Sequence, residues 1–131
     1  MTVKITKEIK ELIESVALAL ATSDQNGKPN VVSVGCVKVV DGNQILISDN
    51  FLNKTRSNLL ANSQVALAVW GKDEQTGFQL KGRAEYLTDG KWKAIVDKMP
   101  ENEGLAHKAA VLVTAEEIWD LGEPKLLGKS E

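Results

Sequence analysis

The sequence predicts a mainly β, antiparallel Greek-key barrel of about six or seven strands with two or three short helices, and three observations carry that expectation. Turn signals at Asp24-Gln25-Asn26-Gly27 and at Asp41-Gly42-Asn43 separate apolar runs by only a few residues, too few for the crossovers that parallel strands require. Most of the apolar runs alternate with period two, the spacing of a strand with one face in a core. The 131 residues suffice for one domain burying about two thirds of its unfolded surface. Closure into a barrel is expected because it removes exposed sheet edges.

Taken in order, Ile5, Ile9, Leu12, Ile13 and Val16 recur at helical spacing among charged residues. Residues 1–15 should therefore form an amphipathic helix that lies as a lid on the core. Residues 16–22 (V-A-L-A-L-A-T) read as the first strand, and Asn26-Gly27 supplies the positive φ that a tight hairpin needs. The return strand is expected over 30–40, with Gly35 marking a bulge or a close approach of the backbone to something else. A strand at 45–48 leads into a polar turn and a short helix reaching Asn62, on which Leu59 and Leu60 form the apolar side. Residues 65–70 (V-A-L-A-V-W) are almost wholly apolar, which predicts burial on both faces. After a polar loop at 71–77, residues 78–87 alternate cleanly, with Gly82 as a bend. Thr88-Asp89-Gly90 opens a helix with Trp92, Ile95, Val96 and Met99 on one side, ended by Pro100. Residues 109–115 and 118–121 form the last strand, with a bulge near Glu116-Glu117, and the tail from 122 to 131 is expected to be loosely ordered in an isolated monomer.

Composition narrows the function classes. A formal net charge of −2 with well-mixed signs gives no basic stripe, so neither nucleic acid nor an anionic membrane is an expected partner. No transmembrane run or secretory start is visible, which makes a cytoplasmic protein the expectation. Cys36 is the sole cysteine, so no internal disulfide or cysteine-based zinc site can form. His107 is the sole histidine and lacks the convergent partners that metal or acid–base sites need, so it reads as a surface or interface residue. Ser33, Ser48 and Ser57 have no G-x-S-x-G elbow around them. Neither a G-x-G-x-x-G nor a complete P-loop is present. No catalytic side chain and no metal ligand is therefore expected.

One stretch carries positive evidence. Residues 45–62 pass from Ile45-Leu46-Ile47 through Ser48, Asp49 and Asn50 to Asn53-Lys54-Thr55-Arg56 at a helix start. Unpaired N–H groups of a first helical turn, the helix dipole, two cationic side chains and a hydroxyl together suit a phosphate. The same residues also fit a plain helix start, with Asn53 as N-cap and the basic residues solvated. A barrel with one phosphate-ready corner and no catalytic side chains best suits a phosphorylated cofactor that brings its own reactivity.

Five blocks in succession, A-L-A-T-S-D-Q-N-G-K-P-N-V-V-S-V from Ala17, V-K-V-V-D-G-N-Q-I-L-I-S-D from Val37, N-K-T-R-S-N-L from Asn53, V-A-L-A-V-W from Val65 and G-F-Q-L-K-G-R-A-E-Y from Gly77, resemble the FMN-binding split-barrel proteins related to pyridoxamine 5′-phosphate oxidase, in particular the small FMN-binding proteins. The resemblance implies a six- to seven-stranded antiparallel Greek-key split barrel as a single domain over 1–131. It implies a homodimer with FMN in a groove at the subunit interface. The FMN phosphate would sit at Lys54 and Thr55, with Asn50 and Asn53 shaping the turn. The isoalloxazine and ribityl chain would lie along Val32, Ser33 and Val34 and along Ile47, Ser48 and Asp49, and Trp119 with the tail would close the ring from the partner subunit, the alternative being that Trp119 is an ordinary core or interface aromatic. An oxidoreductase or electron-transfer protein with an unspecified redox partner follows, the alternatives being a non-catalytic flavin-binding or storage protein and a haem-binding split barrel using His107. The additional basic and histidine residues with which vitamin-B6 oxidases hold their substrate are missing, so oxidation of pyridoxamine phosphate is not expected.

Overall fold

The computed structural model describes residues 3–72, 76–123 and 125–129. It orders them as α1 (Lys7–Ser15), β1 (Leu18–Ser23), β2 (Pro29–Val34), β3 (Val37–Asp41), β4 (Gln44–Asp49), α2 (Lys54–Ala61), β5 (Gln64–Trp70), β6 (Gly77–Leu87), α3 (Gly90–Asp97), a 3₁₀ turn (Pro100–Asn102), β7 (Ala109–Asp120) and β8 (Lys125–Lys129). Residues 73–75 of the expected polar loop, and residues 124, 130 and 131 of the expected tail, lie outside the described set. The strands form one sheet in the order β2, β1, β5, β6, β7, β4, β3, with β8 beside β7, and every pairing is antiparallel.

The single strand expected over 30–40 is two strands at opposite ends of this path. β2 pairs with β1, β3 pairs with β4, and the chain steps from one end to the other through Gly35 and Cys36. The expected closed barrel is thus a sheet curled until its end strands meet head to tail, with no ladder between β2 and β3. A backbone bond knits the junction, the Ser48 N–H donating to the Cys36 carbonyl at 3.0 Å, and the Ile5 N–H donates to the Gly42 carbonyl of the β3–β4 turn at 2.7 Å.

β7 divides its ladder. Residues 109–114 pair with β4, whereas residues 117–120 pair with β8, and the register along β6 shifts between Lys81 and Gly82, leaving Glu116 as the extra residue of the expected bulge. The tail is therefore not loose, because Lys125–Lys129 adds an eighth strand. Sequence pattern hides it for a physical reason. Leu126 and Leu127 are both exposed, so β8 has no buried face and no period-two signature.

The main core unites Ile9 and Ile13 of α1 with Leu18 and Leu20 of β1, Ile45 and Ile47 of β4, Leu67 and Val69 of β5, Leu80 of β6, and Val111 and Val113 of β7. The helix begins at Thr6, whose hydroxyl accepts from the Ile9 N–H, and it packs against β3 and β5 as the expected lid. On the outer face of the sheet α3 closes a second cluster of Leu46, Val96, Met99, Ala110 and Leu112. β5 corrects the expectation of two-sided burial: Val65, Leu67 and Val69 are buried, while Ala66 and Ala68 are half-buried and Trp70 is exposed. Its apolar run reflects small alanines on an outer face. On α2 Leu59 is buried, together with Thr55 and Asn58, whereas Leu60 faces outward.

Gly82 sits where the bulge presses β7 against β6. A Cβ there would lie 2.0 Å from the Thr114 carbonyl oxygen, a backbone atom that cannot swing aside. Gly82→Ala is expected to lower the unfolding free energy by about 1–3 kcal/mol or more, read from urea denaturation. Gly42→Ala, which meets nothing within 4 Å, serves as the control.

Candidate functional site

The end of β4 is shaped by a carboxylate with no exposure to solvent. Asp49 is fully buried, its Oδ1 accepts the Leu52 N–H at 2.9 Å, and its Oδ2 accepts the Tyr86 hydroxyl. The Lys108 ammonium stands 3.8 Å from Oδ1 and donates to the Leu52 carbonyl at 3.1 Å. The Lys108 N–H donates to the Asp49 carbonyl at 2.7 Å. These bonds fold residues 49–52 into a tight turn that leads straight into α2.

Beside it lies a polar network centred on Asn50. Its Oδ1 accepts the His107 N–H at 2.8 Å and the Ser48 hydroxyl at 3.2 Å. Its Nδ2 donates to Asn102 Oδ1 at 3.0 Å and to the Cys36 sulfur at 3.4 Å. Asn102, also buried, donates to the Val96 carbonyl at 2.7 Å and so ties the network to α3. His107 adopts a left-handed φ of 28°, and its Nδ1 lies 2.7 Å from Asp97 Oδ1. Asp97 is held below the usual carboxylate range by Lys93 first and His107 second.

Together the turn, the network and the β2–β3 junction enclose a cavity of about 340 Å³ lined by Val32, Ser33, Val34, Gly35, Cys36, Ser48, Asn50, Phe51, Leu52 and Leu105. That volume lies in the range of small-ligand sites, and its mainly apolar wall with a few polar groups is their usual composition. A second hollow of about 400 Å³, between β3 and the end of α3, is lined by Glu14, Lys38, Lys98 and Glu101 among others, and holds none of the residues marked by sequence.

Of those marked residues, Val32, Ser33, Val34, Ser48 and Asn50 share the cavity wall. The side chains of Ile47 and Asp49 do not. Ile47 belongs to the main core, and Asp49 turns to Tyr86 and Leu52. Asn53, Lys54 and Thr55 follow Leu52 at the start of α2. Asn53 makes no side-chain cap bond, so the first-turn N–H groups are not occupied by a capping oxygen, contrary to the plain N-cap reading. Thr55 is buried and its Oγ1 accepts from Asn30 Nδ2 at 3.3 Å, while Lys54 is exposed. Trp119 is not brought to this cavity within the chain. Its Nε1 donates to Glu117 at 2.9 Å, and the Lys81 ammonium lies 5.6 Å from its ring centroid. His107 is tied into the network by its backbone, but it too is absent from the lining.

Sequence reasoning missed Cys36, Phe51, Leu52, Leu105, Asn102 and Tyr86. Phe51 and Leu52 did leave a signal, two large apolar residues inside an otherwise polar turn. Asn102 left none, being one polar residue in a linker. No group of three or more His, Cys, Asp or Glu side chains that could hold a metal occurs among the described residues.

An antiparallel split barrel with one side cavity at a β2–β3 junction and an anion-ready helix start beside it is the class these features define. The chain belongs to the pyridoxamine 5′-phosphate oxidase family, whose profile matches residues 5–122. It is 34% identical over 137 residues to an uncharacterised protein of Methanocaldococcus jannaschii, covering 98% of this chain and 91% of the relative. It is 28% identical over 109 residues to an FMN-binding protein of Nitratidesulfovibrio vulgaris, covering 74% of this chain and 81% of the relative. Among solved structures, HupZ of Group A Streptococcus superposes with a TM-score of 0.86 at 26% identity, covering 95% of this chain and 99% of that one.

The Asp49–Tyr86 contact has a measurable signature. Burial, then the hydrogen bond and charge of Asp49, push the Tyr86 hydroxyl up from 10 to about 12, while Arg56, 5.7 Å from the ring centroid, acts weakly the other way. Because the folded value is raised, the stabilisation tied to the neutral phenol is complete below pH 10 and is lost as pH climbs through about 12. Tyr86 is the sole tyrosine, so a phenolate absorbance titration of the native protein is expected to show one transition near pH 12, moving toward 10 on unfolding.

Proposed function

We propose that this protein is a homodimeric FMN-binding flavoprotein, a small oxidoreductase or electron carrier. The observation that carries this reading is the cavity wall shared by Val32, Ser33, Val34, Ser48 and Asn50, directly followed in the chain by the uncapped start of α2 with Lys54. The residues fit the cofactor. β-Branched Val32 and Val34 offer apolar surface to a flat tricycle, and Ser33, Ser48 and Asn50 offer polar edges. The free first-turn N–H groups of α2, with the Lys54 ammonium, suit a phosphate dianion. Buried Thr55 would then act by steadying the helix start through Asn30 rather than by reaching out. FMN, when bound, supplies hydride or electron transfer. The chain's own groups bind and orient it and shield one face from water.

Pairing of two subunits is supported beside the cavity. Val31 is 64% and Trp70 47% exposed, and with Ala17 and Ala19 they line a shallow apolar hollow that also includes Val32 and Ser33. β2 is an edge strand, paired only with β1, so this strip is open to a second copy. Pyridoxamine-phosphate oxidation is not part of this reading, because no Lys, Arg or His lines the cavity to hold a second phosphate.

A haem reading stands second on one observation: with Nδ1 of His107 on Asp97, Nε2 is the nitrogen left for a ligand bond, the arrangement common to metal-binding histidines. Absorption spectra of the purified protein loaded separately with FMN and haemin divide the two. Stoichiometric FMN binding with a structured flavin spectrum is expected, and a colourless protein that cannot be loaded with FMN would remove the favoured reading. Lys54→Ala is expected to weaken FMN at least about tenfold and to leave riboflavin within about twofold, since one charge-assisted phosphate contact is lost and no ring contact. Equal losses for both ligands would place the phosphate elsewhere.

A further inference from the structure

The cavity contains a hydroxyl whose polarity is decided by its neighbours. A backbone N–H can only donate, so the His107 N–H bond at 2.8 Å fixes which end of the Asn50 amide is oxygen. The acceptor end thus faces Ser48, and the Ser48 hydroxyl, 3.2 Å away, donates its single proton to Asn50 Oδ1. The Nδ2 end is equally committed, to Asn102 Oδ1 at 3.0 Å and the Cys36 sulfur at 3.4 Å, so the amide cannot flip without breaking bonds at both ends. His107 itself has a left-handed φ of 28°, and its ring Nδ1 lies 2.7 Å from Asp97 Oδ1. With its proton on Asn50, Ser48 offers the cavity its lone pairs.

Resting on the flavin reading above, we infer that Ser48 Oγ is a one-way acceptor that selects a ring N–H donor, the imide N3–H of the isoalloxazine, and that Asn50 and the His107 backbone are the positioning residues that set this polarity. Ser33 of β2, also in the lining, has no such constraint among the described contacts and can turn either way. The arrangement recognises a ligand whose edge carries an N–H, and it disfavours an analogue with an acceptor or a methyl group at that place, because the lone pairs would then be buried without a partner.

Riboflavin and 3-methylriboflavin are the probes, since neither carries the phosphate. Wild-type protein is expected to bind riboflavin about tenfold more tightly than the 3-methyl analogue. Ser48→Ala is expected to weaken riboflavin by about fivefold to tenfold and to bind the two alike, because the acceptor is gone and space for the methyl is gained. Asn50→Leu frees the Ser48 hydroxyl to rotate and should reduce the discrimination to about twofold or less, with thermal unfolding followed alongside to confirm a folded protein. Wild-type protein binding both probes equally overturns the inference, as does discrimination that survives in a folded Ser48→Ala variant. Unchanged binding of oxidised riboflavin with a shifted flavin potential in Ser48→Ala would assign the acceptor to another ring atom and also overturn it. Failure of wild-type protein to bind either probe or FMN would instead remove the flavin reading itself, whereas FMN binding with no N3 preference leaves that reading standing.

Discussion

A fully buried carboxylate governs the arrangement around the cavity. An ionised Asp49 withdrawn from water without partners would cost on the order of several kcal/mol. The chain meets that cost by bringing two donors and a cation from three different places: the Leu52 N–H from the next turn, the Tyr86 hydroxyl from β6 and the Lys108 ammonium from just before β7. Each fixes something. The Leu52 bond closes the turn that places Phe51 and Leu52 on the cavity wall, Tyr86 ties that turn to the barrel, and Lys108 clamps it from the other side through the Leu52 carbonyl. The start of α2 inherits its position from the same turn, so cavity wall and candidate phosphate site are held by one buried charge.

The second requirement is topological. The cavity needs the end of β2, the start of β3 and the end of β4 in one place, and a flat sheet with β2 and β3 at opposite ends would keep them apart. Curling the sheet brings the ends together at Gly35 and Cys36, where the Ser48 N–H to Cys36 carbonyl bond locks the junction onto β4. Gly35 lines open space there, since a Cβ would meet nothing within 4 Å.

How much of this was legible in the sequence follows from what kind of force sets each feature. Hairpin turns, the amphipathic α1 and the alternating β6 are local or periodic, and they could be read directly. The Asp24 hairpin shows why: Asp24 Oδ1 accepts from both Asn26 and Lys28, and Gly27 takes φ +85°, all within five residues. The split of 30–40 into two strands could not be read, because the apolar run is continuous and only the path of the whole sheet breaks it. β8 escaped for the opposite reason, having a pairing partner but no buried face. At the site, the family resemblance marked stretches of β2 and β4, and Val32, Ser33, Val34 and Ser48 of those stretches line the cavity, whereas the partners of the Asp49 carboxylate, Tyr86, Leu52 and Lys108, left no local signal. Strand alternation does show that Ile47 and Asp49 share one face of β4 and that Ser48 takes the other.

The chemistry left to the cavity follows from which groups are already spoken for. Asn50 has committed both ends of its amide, Ser48 its proton, and Cys36 is the one titratable side chain in the lining. No acid–base pair remains free there to move protons for a substrate. Such a wall can hold and orient a ligand and exclude water, and its own side chains are engaged with one another. This saturation confers rigidity, because turning any one of these groups breaks a bond at the next. A cavity of this kind suits a ligand with its own reactivity and a fixed pattern of ring donors and acceptors, and it suits poorly a substrate that needs protons delivered on demand.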